Sequence, residues 1–471
     1  MAILGVCPTE NRSSGNLREK FLERAMNTRF RPYYPEQSYL LPPSPSDWLA
    51  EGHLAYFIAE IVDTLEVDSF YAQYEGDGRR NSPYDPRMLL KVLVYAYASG
   101  VFSSRKIARK LEEDVAFRVL GAGNFPDHRT VNRFRQEHLE EFAGIFGQVV
   151  KLAREMKLIR MGTLAIDGTK VRANASKRKG MSYGRMKEEE RKLKGEIEEL
   201  LRRAQAVDEA EDEQYGVERR GDELPEELRR REDRLKKIQE AKQRLEDRQK
   251  EEDRAAGRSE NDGGWASGVR PQGGRSRHHR EFGEVPEKKQ DNFTDPQSRI
   301  MKTQDGFQQC YNGQIAVEAG SGLIVANDVV QNAADNGCLV EMTEAAQAQG
   351  GEKPERVLAD AGYRSEENFR KLAEKKITAY VALGREGKRG KNILPNAENP
   401  HTQAMEQRLR SEEGQRWYRQ RKWLAEPPFG WIKHVLGFRR FSLRGHKKVR
   451  GEWQLVCAAL NLKRIAVLTT A

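Results

Sequence analysis

The chain has 471 residues, of which 33 % are charged, and its formal net charge is +10. This length allows about three domains and a sizeable core. Apolar runs stay shorter than the roughly eighteen residues of a membrane-spanning helix, and the N-terminus lacks the features of a signal peptide. The four cysteines are scattered and form no CxxC pair, which argues against a zinc site or a disulfide framework and is typical of a cytoplasmic protein.

Positive charge is concentrated towards the C-terminus. From Pro427 onward the sequence has nine lysines and arginines but a single acid, Glu452. Such a segment is expected to lie on a polyanion, although a solvated basic surface is the alternative that composition alone leaves open. We predict a basic C-terminal segment with a closing helix over residues 441–471.

The N-terminal third predicts a polar arm over residues 1–45, followed by a helical domain over residues 46–160. Within that domain, two short helical segments, a turn at Gly121–Asp127 and a basic third segment are typical of a helix-turn-helix DNA-binding unit. Val131 and Phe134 should pack inward. The residues expected to face DNA are His128, Arg129, Asn132, Arg133 and Arg135. An ordinary helical bundle with a charged surface is the alternative.

A short apolar run, Leu164–Ile166, predicts a buried strand that ends at the carboxylate of Asp167. Two cations, Lys170 and Arg172, follow at alternate positions. A carboxylate on a rigid strand beside cations that could hold phosphate suits metal-assisted phosphoryl chemistry. Taken alone, an Asp at the end of a strand can equally be a turn or cap residue.

Residues 183–256 interrupt this strand-rich region with a segment rich in Glu, Lys, Arg and Leu. Its apolar residues recur at spacings of four and three on both sides of a break at 215–225, which predicts an antiparallel helical hairpin with coiled-coil character. It could serve as a dimer contact or a DNA clamp, or it could be a solvated spacer. A flexible basic loop is expected over residues 257–289.

Strand periodicity then returns. The segment 306–330, with Gly320 and Gly322 near its middle, predicts a β-hairpin. Beyond it, a second buried strand ends at Asp360. A third carboxylate, Glu426, precedes two prolines, which disfavour helix before them and suit the first turn of a new helix, so we expect Glu426 at a helix junction.

Several blocks of this sequence are similar to those of bacterial insertion-sequence transposases of the DDE class. They are LAIDGTKV, NFTDPQSRIMK with GFQQCYNGQIAV, LADAGYRS and AEPPFGWIKH. The stretch from YDPRMLLKVLVYAYASG to DHRTVNRFRQEH resembles the DNA-binding N-terminal domain of these proteins, and LVCAALNLKRI resembles their closing helix. The blocks occur in the family's order and cover nearly the whole chain.

The resemblance implies an α+β (or α/β) multidomain fold. An all-α DNA-binding domain would precede a ribonuclease H-like catalytic core with a mixed sheet, over residues 161–182 and 290–440, which the helical insertion interrupts. The metal-binding trio falls on Asp167, Asp360 and Glu426. Carboxylate ligands suit two hard ions, Mg²⁺ or Mn²⁺.

The same resemblance implies a DNA-contacting pattern of Tyr, Arg and Lys around the Glu. Tyr418 and Lys433 fit it, whereas Arg421 lies one residue too far from Glu426 and Lys422 has the expected spacing. The residues implied to contact DNA are Lys170, Arg172, Arg129, Arg133, Tyr418, Arg421, Lys422 and Lys433.

The implied activity is cleavage at the terminal repeats of an insertion element, followed by strand transfer into target DNA. The partners would be double-stranded DNA and further copies of the chain, as a homodimer or higher oligomer on DNA in the cytoplasm, associated with the nucleoid. One alternative is a catalytically inactive DNA-binding protein of the same fold. Another, a nuclease with a tyrosine nucleophile suggested by His278-His279, is disfavoured because adjacent histidines point to opposite sides of an extended chain.

Overall fold

The computed structural model describes residues 44–74, 83–215, 226–258, 260, 281–384 and 399–470. The chain divides into two compact units, residues 1–48 and 49–471. Of the first unit, only residues 44–48 are described, including a 3₁₀ turn at Pro45–Trp48. Most of the predicted N-terminal arm and of the predicted basic loop, including His278 and His279, therefore lies outside the described residues. All further elements belong to the second unit.

Helices occupy the chain from residue 54 to the first strand. Two of these helices have aspartate N-caps. Asp85 caps the third helix, where its side chain accepts a hydrogen bond from the Met88 N–H at 2.9 Å, and Asp127 caps the sixth, where its side chain accepts one from the Thr130 N–H at 2.7 Å. The helices are α1 (Leu54–Thr64), α2 (Asp68–Tyr71), α3 (Pro86–Ala98), α4 (Ser104–Glu113), α5 (Val115–Gly121), α6 (His128–Glu137) and α7 (Leu139–Glu155). The apolar helix α3 is buried on nearly every side.

A mixed six-stranded sheet forms the second layer, with the order β4-β5-β1-β7-β8 and β6 paired to β5. Strand β1 pairs with β5 antiparallel and with β7 parallel. The strands of this sheet are β1 (Thr163–Arg172), β4 (Arg299–Thr303), β5 (Gly306–Glu318), β6 (Ile324–Val330), β7 (Arg356–Ala359) and β8 (Thr378–Val381). The predicted buried strand at Leu164–Ile166 and the predicted hairpin, β5–β6, are both confirmed.

The inserted segment contains two long helices. A short antiparallel strand pair flanks them in the chain, with β2 (Gly180–Ser182) before the first helix and β3 (Gln290–Asn292) after the second. The helices are α8 (Tyr183–Tyr215) and α9 (Glu226–Ala255). They run antiparallel, since Glu196 pairs with Arg231 at 2.9 Å while Glu190 pairs with Lys242 at 3.0 Å. Met186, Leu193, Ile238 and Leu245 are buried between them.

The remaining helices lie after the strands. They are α10 (Leu339–Gly350), α11 (Glu366–Glu374), α12 (Pro400–Arg410), α13 (Glu412–Gly430) and α14 (His446–Thr470). Helix α14 packs against α3 and α7 on one side and against β6 on the other. It therefore joins the helical layer to the sheet. Among the described residues, no helix combines the length and the apolar character needed to cross a membrane.

A buried polar network crosses this junction. Glu452 of α14 accepts a hydrogen bond from the Tyr97 hydroxyl at 3.0 Å, and Arg135 donates to the same hydroxyl at 3.1 Å and to the carbonyl of Phe102 at 2.8 Å. Arg135 is 3 % exposed. The prediction that Arg135 faces DNA is therefore wrong, because this side chain lies on the inward face of α6, four residues after buried Val131.

His138, between α6 and α7, is fully buried against Phe70 and Phe134, with ring-centroid distances of 4.9 and 4.5 Å. Burial lowers the pKa of His138 below 6.5, although Glu141 opposes that shift. Below pH 6.5, His138 binds a proton more readily in the unfolded chain than in the folded protein. Its contribution to the free energy of unfolding is therefore fully present above pH 6.5 and is lost as the pH falls below that value. We expect a slope of at most about 1.4 kcal/mol per pH unit from this residue.

Denaturant unfolding at pH values from 5 to 8 tests this, with His138→Phe as the comparison. The variant keeps the aromatic packing but has no titrating group, so its stability should decline less than that of the wild type on acidification. Equal declines in the two proteins would contradict the prediction.

Candidate active site

Asp167 and Asp360 are brought to one edge of the sheet by parallel strands. Ala165 of β1 is in register with Leu358 of β7, and each carboxylate follows two residues later. The Asp167 carboxylate accepts a hydrogen bond from the N–H of Gly168 at 2.8 Å, and that of Asp360 accepts from the N–H of Gly362 at 2.8 Å. Both carboxylates are thus oriented by the chain that follows them.

The Asp167 carboxylate is held in an unfavourable environment. Its side chain is only 17 % exposed, and burial together with the nearby charge of Asp360 raises its pKa from 3.8 to about 6. The Gly168 N–H and the guanidinium of Arg421, whose Nη1 lies 3.6 Å from Asp167 Oδ2, offset this only in part. The pair therefore carries more negative charge than its protein surroundings neutralise.

A third carboxylate, Asp335, lies beside this pair and was missed by the sequence analysis. Its Oδ1 accepts hydrogen bonds from Asn312 at 2.6 Å and from Gln314 at 2.8 Å, and it pairs with Lys170 Nζ at 3.3 Å. The available signal was on β5, where the amides of Asn312 and Gln314 are two residues apart and fully buried, so both required a partner.

Gly168 shows how tightly this cluster is built. A Cβ at this position would lie 2.8 Å from Asp335 Oδ1 and would also collide with the amide of Gln314. Only glycine leaves room here for the polar side chains behind β1.

Glu426 lies on α13, which packs across β1 and β7 through Ala425, Ala165 and Leu358. The Glu426 side chain is exposed. Within the described part of the chain, no group of three or more His, Cys, Asp or Glu side chains is close enough to hold a metal ion, so the structure joins the two aspartates but not Glu426.

The expected helix junction at Glu426 is wrong. Helix α13 continues through Pro427 and Pro428 to Gly430 and is followed by a π-helical turn at Trp431–Val435. Each proline destabilises the helix, because it lacks an N–H donor and its ring clashes with the preceding turn. The buried packing of Ala425, Pro428 and Phe429 stabilises the helix enough to offset this loss.

The cations predicted around the carboxylates occupy different positions. Arg421 is 7 % exposed and lies between Asp167 and the ring of Tyr418, whereas Lys422 is exposed. Arg421 Nε is buried and has no hydrogen-bond partner among the described residues. Lys433 donates to the carbonyl of Lys170 at 3.0 Å, and burial lowers its pKa.

The remaining predicted DNA contacts lie away from the carboxylates. Arg172, at the end of β1, is exposed and forms a β-bridge with Arg440. Arg129 and Arg133 are exposed on α6, while Val131 and Phe134 are buried as expected.

Two family models match the chain. One, described as a transposase DDE domain, matches residues 275–462, and the other, described as a transposase domain (DUF772), matches residues 43–137. No curated protein and no solved structure matches it.

Proposed function

Because the chain belongs to the DDE-class transposases of insertion sequences, we propose that it cuts the terminal repeats of such an element and joins the freed ends to target DNA. The observation that supports this most is the pair of carboxylates, Asp167 and Asp360, side by side at the ends of parallel strands with excess negative charge.

The catalytic core is proposed to be ribonuclease H-like. In support, a strand carrying the first aspartate, an antiparallel hairpin partner and a parallel strand carrying the second aspartate occur in one mixed sheet. The paired helices α8 and α9 are proposed to form a coiled-coil arm inserted into this core, for dimer contact or for clamping DNA.

The carboxylates suit Mg²⁺ or Mn²⁺, since oxygen ligands are those that hard divalent ions prefer. Asp167 and Asp360 would hold the ions, with Glu426 as the third ligand on a helix that packs against both strands. Two such ions supply positive charge to the attacking and leaving oxygens of an in-line phosphoryl displacement. Their charge would also relieve the repulsion that raises the pKa of Asp167.

The residues around the pair have separate tasks in this mechanism. Arg421 orients Asp167 and keeps its positive charge beside the two aspartates. Lys170, held by Asp335, and Lys433, held on the Lys170 carbonyl, keep positive charge beside the scissile strand. Tyr418, Lys422, Arg172, Arg129 and Arg133 would contact DNA further away.

Cleavage of a labelled duplex that carries the element's terminal repeat tests the proposal. Wild type and Asp360→Asn are compared in Mg²⁺, in Mn²⁺ and in EDTA, and the products are examined for protein covalently attached to DNA. We expect metal-dependent cleavage by the wild type only, with free 3′-hydroxyl ends and no adduct.

Two results would overturn it. Cleavage by Asp360→Asn at the wild-type rate would remove this residue from the mechanism. Tight binding by the wild type without cleavage in either metal would instead favour a DNA-binding protein without catalytic activity.

A further inference from the structure

An open groove of about 900 Å³ separates the helical layer from the end of β1. Helices α4 and α6 form one wall, and the chain near Asn174 and the segment that leads into α14 form the other. Among the described residues that line it, the only acid is Glu137. The accessible cations along its walls are Arg105, Arg129, Arg133, Arg440 and Lys448. An excess of one charge along a concave surface focuses the potential that attracts a polyanion.

The cations on the helical wall are available to a ligand. Arg105, Arg129 and Arg133 are exposed, and none of them takes part in an ion pair within the described part of the chain. On the opposite wall Arg440 is held in place by a hydrogen bond to Asn174 Oδ1 at 2.7 Å, which satisfies one donor and leaves its charge uncompensated.

Asn132 on α6 is oriented by the buried polar network at the helix–sheet junction. Its Oδ1 accepts a hydrogen bond from Arg135 at 2.9 Å, and Arg135 is in turn held by Tyr97 and the carbonyl of Phe102. The amide nitrogen of Asn132 and one lone pair of its oxygen remain for the edge of a base. A fixed amide near the start of a helix on a basic wall is suited to reading a base pair.

The two walls are tied together by direct contacts. Lys448 of α14 donates to Gln136 of α6 at 2.8 Å, and the Arg135–Tyr97–Glu452 network connects the same two helices below the surface. The groove therefore has a fixed position relative to the sheet that carries the aspartates.

Strand β1 connects the groove to the carboxylates. Asn174 follows Asp167 by seven residues, which corresponds to at most about 23 Å of extended chain, or about seven base pairs of B-form DNA.

We propose that this groove grips the backbone of the same DNA end that the chain's own Asp167 and Asp360 cut, with Arg440 on a phosphate within about seven positions of the cut and Asn132 reading a base pair. The inference rests on the proposed function. Phosphate contacts from Arg133 and Arg440 supply affinity, and Asn132 supplies specificity.

Binding of a fluorescent terminal-repeat duplex without divalent metal tests the groove separately from catalysis. Arg133→Ala and Arg440→Ala should each weaken binding about 3–10-fold and reduce the log–log salt slope by about 1. Asn132→Ala should lower discrimination against one substituted base pair by about 10-fold while leaving the salt slope unchanged. The control is Arg109→Ala, an exposed cation of α4 outside the groove, which should bind like the wild type.

Neutral methylphosphonate linkages, placed one at a time, locate the contact. We expect interference within about seven positions of the cut for the wild type. In Arg440→Ala, the linkage that Arg440 contacts should cause no further loss of binding. Wild-type affinity and salt slope for both arginine variants would overturn the proposal, even if cleavage itself is demonstrated.

Mixing tests whether one chain both grips and cuts. Asp360→Asn retains the groove and Arg440→Ala retains the carboxylates, so a mixture should cleave no better than Arg440→Ala alone. Restored cleavage would show that the groove serves the site of another copy and would overturn the single-chain arrangement.

Discussion

Replacing Asp167 by Asn is expected to abolish strand cleavage and, at neutral pH, to make the protein more stable. The loss of activity should exceed about a thousandfold, because the variant lacks an anionic ligand at the centre of the proposed site. The gain in stability has a separate cause, namely that burial and Asp360 make the ionised Asp167 unfavourable in the folded state. Sites that bind charge commonly sacrifice stability in this way.

The direction of the pKa shift determines how the contribution of Asp167 to the free energy of unfolding changes with pH. The pKa of Asp167 is raised from 3.8 to about 6 on folding, so its contribution is fully present below pH 3.8 and is lost as the pH rises through about 6. At pH 7.5 the ionised side chain costs on the order of 2–3 kcal/mol, which Asp167→Asn should largely recover. Near pH 4 the difference between the two proteins should vanish.

Denaturant unfolding at pH 4, 6 and 7.5 measures this, with Asp63→Asn as the control. Asp63 is half-exposed and paired with Lys91, so its replacement should change the free energy of unfolding by less than about 1 kcal/mol. Adding Mg²⁺ should stabilise the wild type more than Asp167→Asn. A variant less stable than the wild type at pH 7.5 would contradict the electrostatic account.

Replacing Glu452 by Ala is expected to lower the free energy of unfolding by about 3–5 kcal/mol. Its carboxylate is fully buried and accepts hydrogen bonds from Tyr97 and from the N–H groups of Ser442 and Leu443. Its removal leaves those donors unpaired and leaves the buried charge of Arg135, 4.0 Å away, without its counter-ion.

The control on the same helix is Arg450→Ala. Arg450 is about half-exposed and pairs with Asp328 at 2.7 Å, so its loss should cost less than about 1 kcal/mol. Chemical denaturation of the three proteins distinguishes the cases. A Glu452→Ala variant as stable as Arg450→Ala would show that the buried network contributes little.

Local patterns in the sequence were sufficient to predict the elements that carry the aspartates. The apolar run at Leu164–Ile166 predicts β1, and the glycines near residue 321 predict the β5–β6 hairpin, because both signals depend only on neighbouring residues. The face of α6 was predicted for Val131 and Phe134, but the same periodicity should have assigned Arg135 to the buried side.

Features that depend on distant parts of the chain could not be predicted in this way. Asp335 joins the site through hydrogen bonds to β5. Arg135 is buried because it pairs with Glu452, a residue more than 300 positions away in the sequence. The continuation of α13 through two prolines depends on its packing against the sheet, which outweighs their local preference. The placement of Glu426 in the metal site stays a prediction.

The position of α14 has a consequence for synthesis. This helix leaves the ribosome after the helical layer and the sheet that it joins, and its Glu452 is 355 residues from its partner Tyr97. The helical layer cannot bury its polar network until α14 has been translated. Nascent chains and products of premature termination should therefore lack the rigid groove that we propose to bind DNA, so that an element's DNA would be engaged only by polypeptides translated through α14.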